Sequence, residues 1–216
     1  MIHHPSPNYG PRRGGLRPEL VVLHYTEMPD AASALARLCA PEAQVSAHYL
    51  IGADGQVWHL VSEEARAWHA GAGEWAGRGD VNSRSIGIEL DNDGKSPFAA
   101  PQMSALEALL PDILARWQIK PEGVIAHSDL APERKNDPGP RFDWRRLALE
   151  GLAAWPWTPG SEASNLPEAL DRIGYPRIAP HLRLAAFRLR FRPHAAGPED
   201  ANDRALAAGL AARWKG

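Results

Sequence analysis

Two short apolar segments that each end in a histidine constrain the fold of this chain more than any other feature. Residues 19–26 are mostly apolar and β-branched, with His24 near the C-terminal end, and residues 124–127 repeat the pattern with His127. Such segments are typical of strands buried in a central sheet. Since sites in α/β sheets collect at the carboxyl ends of strands, both histidines are candidate functional residues.

Further strand-like and helix-like segments alternate along the chain. Strands are predicted at 45–50, 56–61 and 84–90, and a turn at Asp54-Gly55 joins the first two into a hairpin. Helices are predicted at 30–38, 102–117 and 144–149 from apolar periodicity and flanking prolines. This alternation predicts an α/β (α+β) fold, a mixed central sheet flanked by helices.

The organisation of the chain is predicted as four parts. Residues 1–18 form an extended arm, 19–154 a catalytic domain, 155–164 a Trp/Pro-rich linker and 165–216 a small three-helix domain. Its helices are predicted at 166–173, 180–191 and 203–214. Three alternating arginines at the end of the second helix and just beyond it, Arg188, Arg190 and Arg192, are expected on a solvated face.

Composition excludes several classes of function. A formal net charge of −2 argues against a nucleic-acid-binding protein, and no apolar run is long enough to span a bilayer. The single cysteine, Cys39, excludes an intrachain disulfide and any multi-cysteine metal site. The N-terminus lacks the pattern of a signal peptide, which predicts a cytoplasmic protein, or a periplasmic one if a leader has been removed.

A third candidate ligand follows His127 by ten residues. Asp137 precedes Pro138 and is held in an extended backbone, which would fix its carboxylate. Two imidazoles and a carboxylate, with a fourth position open, form a catalytic zinc arrangement. From spacing alone, Asp137 fits the start of a turn equally well.

A competing interpretation uses Asp129 instead. His127 and Asp129 form an H-x-D pair, which with a distant histidine matches the ligand triad of non-haem iron enzymes. Oxygenases of that type sit on double-stranded β folds, whereas this chain has few strands and two clear amphipathic helices.

Five ordered motifs resemble those of the type 2 N-acetylmuramoyl-L-alanine amidases, the group related to phage T7 lysozyme and the peptidoglycan-recognition proteins. The resemblance covers about residues 15 to 150 and is strongest to the AmpD/AmiD branch. The motifs are VVLHYT (21–26), VSAHYLI (45–51), AWHAG (67–71), NSRSIGIE (82–89) and IAHSD through RKNDPG (125–139).

The resemblance implies a zinc amidase that cleaves the bond between the lactyl group of N-acetylmuramic acid and L-alanine. It implies one Zn²⁺ per chain, held by His24, His127 and Asp137. Glu89 matches the catalytic glutamate, which takes a proton from the attacking water and returns one to the leaving amine. Lys135 matches the lysine that stabilises the oxyanion. Ala47 stands where the phage-type enzymes have a tyrosine, which places more of the catalysis on Glu89.

The implied partner is peptidoglycan or its soluble muropeptides, without nucleic acid or membrane. Tyr25, His69, Asn82 and Arg84 are candidate substrate-binding residues. The last three helices resemble a small peptidoglycan-binding domain. An alternative from another class is a non-catalytic peptidoglycan-recognition module on the same fold. Such modules usually lose a ligand or the catalytic acid, and this sequence retains all four.

Overall fold

The computed structural model of the protein describes residues 1–214. Eight strands and eight α-helices lie in this part of the chain. The strands are β1 Ile2–His3, β2 Tyr9–Pro11, β3 Leu20–Tyr25, β4 Tyr49–Ile51, β5 Val57–His59, β6 Ala65–Ala67, β7 Ser85–Leu90 and β8 Val124–Ala126. The helices are α1 Ala31–Cys39, α2 Val81–Arg84, α3 Ala100–Trp117, α4 His127–Leu130, α5 Trp144–Leu149, α6 Leu166–Ile173, α7 Pro180–Phe191 and α8 Ala201–Ala211.

A six-stranded mixed sheet forms the centre of the molecule, in the order β1-β5-β4-β7-β3-β8. β4 and β5 pair antiparallel as a hairpin, and the other neighbours pair in parallel. The mixed α/β architecture predicted from the sequence is therefore confirmed. β7, β3 and β8 run in the same direction, so their carboxyl ends meet at one edge of the sheet.

One face of the sheet is sealed by the long helix α3 and by α5. Alternate residues of β3 and β7, such as Val21 and Ile88, point into a core with Leu106 and Leu110 of α3 and Trp144 of α5. Pro101 lies in the first turn of α3, where its missing N–H costs no hydrogen bond. This packing holds β3 and β7 rigidly, and therefore fixes the side chains on their opposite face.

The opposite face is covered by α1 at one end and by the C-terminal helices at the other. Leu50 of β4 packs with Ala34 and Leu38 of α1. Leu20 and Val22 of β3 share a second core with Phe187 of α7 and residues of α6 and α8. The C-terminal helices thus bury part of the central sheet.

The N-terminal segment, predicted as an extended arm, is paired with two other strands. β1 adds a parallel edge strand beside β5, and β2 forms an antiparallel pair with β6. The Arg12 guanidinium donates to the carbonyls of Glu63, Asn82 and Ser83. These bonds attach the arm to the catalytic part of the chain.

The segment predicted as a linker is anchored too. The Gly160 N–H donates to the Ala205 carbonyl at 2.7 Å. A Cβ added at Gly209 would lie 2.1 Å from the Thr158 carbonyl oxygen. Residues 158–160 therefore run against α8, and the C-terminal unit begins on a fixed stretch of backbone.

The expectation that Arg188, Arg190 and Arg192 face solvent is wrong for Arg188 and Arg190. Arg188 and Arg190 are buried, and each forms an ion pair with a buried aspartate, Asp203 and Asp129 respectively. Arg192 also pairs with Asp203. Buried charges are tolerated here because each has an opposite partner.

None of the helices described between residues 1 and 214 combines the length and the apolar character needed to cross a bilayer.

Candidate metal centre and active site

The site begins on two neighbouring parallel strands. His24 of β3 lies directly beside Glu89 of β7 in the strand register. Ser85, Gly87 and Glu89 share one face of β7 because side chains alternate along a strand, while Ile86, Ile88 and Leu90 face the core. The alternation therefore places a carboxylate and an imidazole side by side on the face opposite α3.

His127 and Asp137 reach the same place from the end of β8. β8 ends at Ala126, so His127 is not the last residue of a strand but the first residue of the short helix α4. The chain then returns so that the Ser128 N–H donates to the Asp137 carbonyl at 3.0 Å. The Asp137-Pro138 peptide bond is cis. This return brings the aspartate side chain back to its neighbouring histidine.

Three donor atoms converge between these elements. His24 Nδ1, His127 Nδ1 and Asp137 Oδ2 lie pairwise 2.9 Å apart. The residues are 1%, 3% and 5% exposed. Among the described residues, this is the group of histidine and carboxylate side chains arranged to hold a metal ion.

Burial keeps the ring of His24 neutral. Burial, followed by the proximity of His127, lowers the pKa of His24 to about 4. A neutral imidazole has a free nitrogen lone pair, which is what a metal ion requires from histidine. The electrostatics of the site therefore suit metal binding at neutral pH.

Glu89 sits in a different electrostatic environment. No atom of residues 1–214 forms a hydrogen bond with its inaccessible Oε2 oxygen. Burial first, and then the negative charge of Asp137, raise the pKa of Glu89 well above its ordinary value, while Lys135 opposes the shift. A carboxyl group with a raised pKa is suited to taking up and releasing a proton at neutral pH.

A cavity of about 390 Å³ opens over these residues. Of the nine site residues predicted from sequence, seven line it: His24, Tyr25, His69, Glu89, His127, Lys135 and Asp137. Tyr25 is wedged between two glycines, since a Cβ at Gly94 or Gly139 would lie 3.1 or 3.3 Å from its ring. The tyrosine thus forms a fixed wall of the cavity.

The ring of His69 is turned into the protein. Its Nδ1 lies 3.1 Å from His24 Nε2, and its Nε2 lies 3.1 Å from the Ser85 hydroxyl. Burial lowers the pKa of His69 well below its ordinary value. Both ring nitrogens of His69 therefore have protein partners, and the residue also lines the cavity.

Asn82 and Arg84, also predicted to bind substrate, do not line the cavity. The side-chain oxygen of Asn82, Oδ1, accepts hydrogen bonds from the backbone N–H groups of His69 and Ala70. The Arg84 guanidinium is paired with Glu19 and donates to the Arg78 carbonyl. The Arg84 guanidinium is thus bound inside the protein, and the Oδ1 atom of Asn82 holds the backbone of residues 69 and 70.

Asp129, the alternative ligand, points away from the metal site. Its carboxylate accepts from Tyr175 Oη at 2.7 Å and from the Arg190 guanidinium at 2.8 Å, both in the C-terminal helices. It also accepts from the Ala126 N–H. This geometry removes the iron-triad interpretation and assigns Asp129 to the interface with the C-terminal unit.

Gly87 is a site residue that sequence reasoning overlooked. A Cβ at this position would lie 2.4 to 2.7 Å from atoms of the His69 ring. A glycine inside a central strand usually marks a close approach of another group. That signal was present in the Ser-Ile-Gly-Ile-Glu segment, although it does not tell which group approaches.

Comparisons with known proteins agree with this geometry. The sequence profile of the N-acetylmuramoyl-L-alanine amidase family matches residues 14–140. The chain is 41% identical over 235 aligned residues to the N-acetylmuramoyl-L-alanine amidase AmiD of Escherichia coli K12, covering 92% of this chain and 84% of AmiD. It is 35% identical over 162 residues to the 1,6-anhydro-N-acetylmuramyl-L-alanine amidase AmpD of Enterobacter cloacae, covering 67% and 87%.

Two solved structures are similar over nearly the whole chain. Escherichia coli AmiD in complex with anhydro-N-acetylmuramic acid-L-Ala-D-γ-Glu-L-Lys superposes with a TM-score of 0.83 at 39% identity, covering 94% of this chain and 92% of that one. AmpDh3 of Pseudomonas aeruginosa with an anhydromuramic pentapeptide gives 0.81 at 32% identity, covering 94% and 95%. The likeness therefore includes the C-terminal helices.

Proposed function

The chain belongs to the N-acetylmuramoyl-L-alanine amidases, and we propose that it works through a zinc ion held by His24, His127 and Asp137. It hydrolyses the amide between the lactyl group of N-acetylmuramic acid and the L-alanine of the stem peptide. The observation that carries the proposal is the convergence of His24 Nδ1, His127 Nδ1 and Asp137 Oδ2, pairwise 2.9 Å apart, in the lining of the cavity.

The donor set fits zinc. Two imidazole nitrogens and one carboxylate oxygen are the ligands of a catalytic zinc site, which keeps a further position open. When bound there, zinc polarises the scissile carbonyl and makes water a stronger nucleophile at neutral pH. No cysteine of residues 1–214 lines this cavity, so its metal-binding side chains offer nitrogen and oxygen donors rather than sulfur.

Glu89 and Lys135 carry the remaining steps. Glu89 Oε2, held beside His24 without a hydrogen-bond partner among residues 1–214, accepts a proton from the attacking water. It then returns that proton to the departing L-alanine nitrogen. Lys135 lines the same cavity, and its ammonium stabilises negative charge as it develops on the carbonyl oxygen.

The proposal is tested with the muropeptide anhydro-N-acetylmuramic acid-L-Ala-D-γ-Glu-L-Lys. Released peptide is followed by mass spectrometry before and after thorough chelation, and again after Zn²⁺ is added back. We expect release to cease on chelation and to return with zinc. Release that survives chelation contradicts the zinc mechanism, and zinc binding without any release supports the recognition module instead.

We further propose that the C-terminal helices bind peptidoglycan beside the active site. A mainly apolar cavity of about 630 Å³ lies between α6 and α7, with Leu184 and Ala185 among its lining. Asn136, between Lys135 and Asp137, lines both this cavity and the catalytic one. The second cavity therefore adjoins the catalytic one at Asn136.

A charge placed in the second cavity tests this. Ala185→Glu is expected to weaken sedimentation of the protein with intact murein about tenfold, because Ala185 is an exposed lining residue. Hydrolysis of the soluble muropeptide should be unaffected. Asn202→Glu, an exposed position of α8 outside the cavity, is the control with the same added side chain. Equal murein binding by both variants would remove the proposed role.

A further inference from the structure

Both ligand histidines turn their second ring nitrogen towards one short segment. His24 Nε2 lies 3.1 Å from the Nδ1 atom of His69. His127 Nε2 lies 3.0 Å from the backbone carbonyl oxygen of Ala70. Two consecutive residues, His69 and Ala70, thus face both ligands from the side opposite the metal position.

The direction of the hydrogen bonds follows from the far end of this chain of contacts. The Ser85 hydroxyl donates to the Val81 carbonyl at 2.6 Å, so its oxygen is left to accept from His69 Nε2–H at 3.1 Å. His69 Nδ1 then carries no proton and accepts from His24 Nε2–H. With its proton on Nε2, His24 presents a free Nδ1 lone pair to the metal position.

The same argument is shorter for His127. A carbonyl oxygen only accepts, so the Ala70 carbonyl fixes the proton of His127 on Nε2. Its Nδ1 is then also free for the metal. Ligand histidines in metal sites are commonly oriented by an outer partner of this kind.

The segment is itself fastened on two sides. Asn82 Oδ1 accepts from the His69 N–H at 3.0 Å and from the Ala70 N–H at 2.8 Å. The Arg134 guanidinium donates to the carbonyls of Ala70 and Ala72. The position of both outer partners is therefore set by hydrogen bonds, of which the two to Asn82 are buried.

Space for the His69 ring is provided by Gly87. A Cβ there would approach the ring to 2.4 Å at Cγ and 2.7 Å at Nδ1. Contacts this short force the ring to move, and with it the atom that accepts from His24. The glycine in the middle of β7 is explained by this requirement.

We propose that His69 and the Ala70 carbonyl, fastened by Asn82, are positioning groups that set the tautomer and orientation of both ligand histidines. The inference rests on the zinc site proposed above. It goes further in assigning the Trp-His-Ala-Gly segment and Asn82 to the metal rather than to the substrate. His69 acts through His24 and does not itself hold the ion.

Two substitutions of His69 separate a positioning role from a packing role, because asparagine and leucine side chains have nearly the same shape as each other. In His69→Asn the side-chain carbonyl oxygen replaces Nδ1 as the acceptor, whereas His69→Leu fills a similar volume without an acceptor. Zinc affinity is measured by competition with a chelator of known affinity. We expect His69→Leu to bind zinc 10–100-fold more weakly than wild type. His69→Asn should recover most of the loss.

The cobalt-substituted protein gives a second readout that packing alone does not change. The visible spectrum of bound Co²⁺ reports the geometry of its ligands, so it should shift in His69→Leu and return towards wild type in His69→Asn. Ser83→Ala, which removes a buried hydroxyl outside this chain of contacts, is the control and should leave affinity and spectrum unchanged. Equal zinc affinity and spectra for the leucine and asparagine variants would overturn the proposal.

If His69→Leu does not fold, Gly87→Ala decides the matter. It leaves His69 in place but displaces its ring, and we expect zinc to bind at least about tenfold more weakly. Wild-type affinity in Gly87→Ala contradicts the inference. A wild-type protein that binds no zinc contradicts the zinc proposal itself, so the two failures are distinguishable.

Discussion

Glu89→Gln lowers kcat on the muropeptide by about 10²–10⁴-fold, which is the contribution expected of a positioned general acid–base. The amide keeps the size of the side chain but cannot take a proton from water. Since Glu89 is not among the three converging donors, zinc content should remain one ion per chain. The measurement is steady-state hydrolysis by mass spectrometry, together with metal analysis of the same sample.

Asp91→Asn is the matched control for this substitution. Asp91 follows β7 directly, accepts a backbone bond that an asparagine oxygen can keep, and lies outside the catalytic cavity. It removes the same charge two residues away, so its kcat should stay close to that of wild type. A near-native rate for Glu89→Gln would refute the assigned role.

Arg190→Met destabilises the protein by about 3–5 kcal/mol, the cost of leaving a buried charge without its partner. Arg190 is 3% exposed and Asp129 is fully buried, with the Arg190 guanidinium 2.8 Å from the Asp129 carboxylate. The guanidinium also stacks 4.1 Å from the Trp144 ring and donates to the Val124 carbonyl. No single replacement restores all of these contacts.

Thermal unfolding of the zinc-loaded protein measures this loss. For a chain of this size, the expected fall in Tm is roughly 6–20 °C. Arg177→Met breaks the ion pair with Asp171, in which the arginine side chain is 82% exposed, and should cost no more than about 1 kcal/mol. Equal Tm values for Arg190→Met and Arg177→Met would show that the buried ion pair stabilises the protein no more than the exposed one.

A double variant tests whether the cost arises from the unpaired carboxylate. Asp129→Asn combined with Arg190→Met removes both charges while Tyr175 keeps a hydrogen-bond partner. Because the buried charge is gone, the double variant should be more stable than Arg190→Met alone. If the double variant loses as much stability as the two single variants added together, the stabilisation comes from packing of Arg190 against Trp144 instead.

The catalytic half of the fold follows from local sequence patterns. β3 and β7 were predicted to within a residue, and α3 to within two, because each carries a strong apolar period with clear ends. The strand-end positions of His24 and His127 then indicated one edge of a sheet. These features depend on residues that are close in the sequence, and they can therefore be predicted from it.

The roles of Asn82, Arg84 and Arg190 depend on partners distant in sequence. Arg84 pairs with Glu19, and Arg190 with Asp129, across 65 and 61 residues. An arginine in a polar segment is usually exposed, so local pattern alone predicts solvent or a ligand. The contact of His69 with His24 is equally hidden from local pattern, since the two residues are 45 positions apart in the chain.

The shared core has a consequence for protein engineering. Leu20 and Val22 of β3 are covered by Phe187 and other side chains of the C-terminal helices. A chimera in which these helices are replaced, with the junction at residues 155–164, would expose Leu20 and Val22 to solvent. Grafting a different targeting module onto this enzyme therefore has to append it beyond α8, leaving the native helices in place.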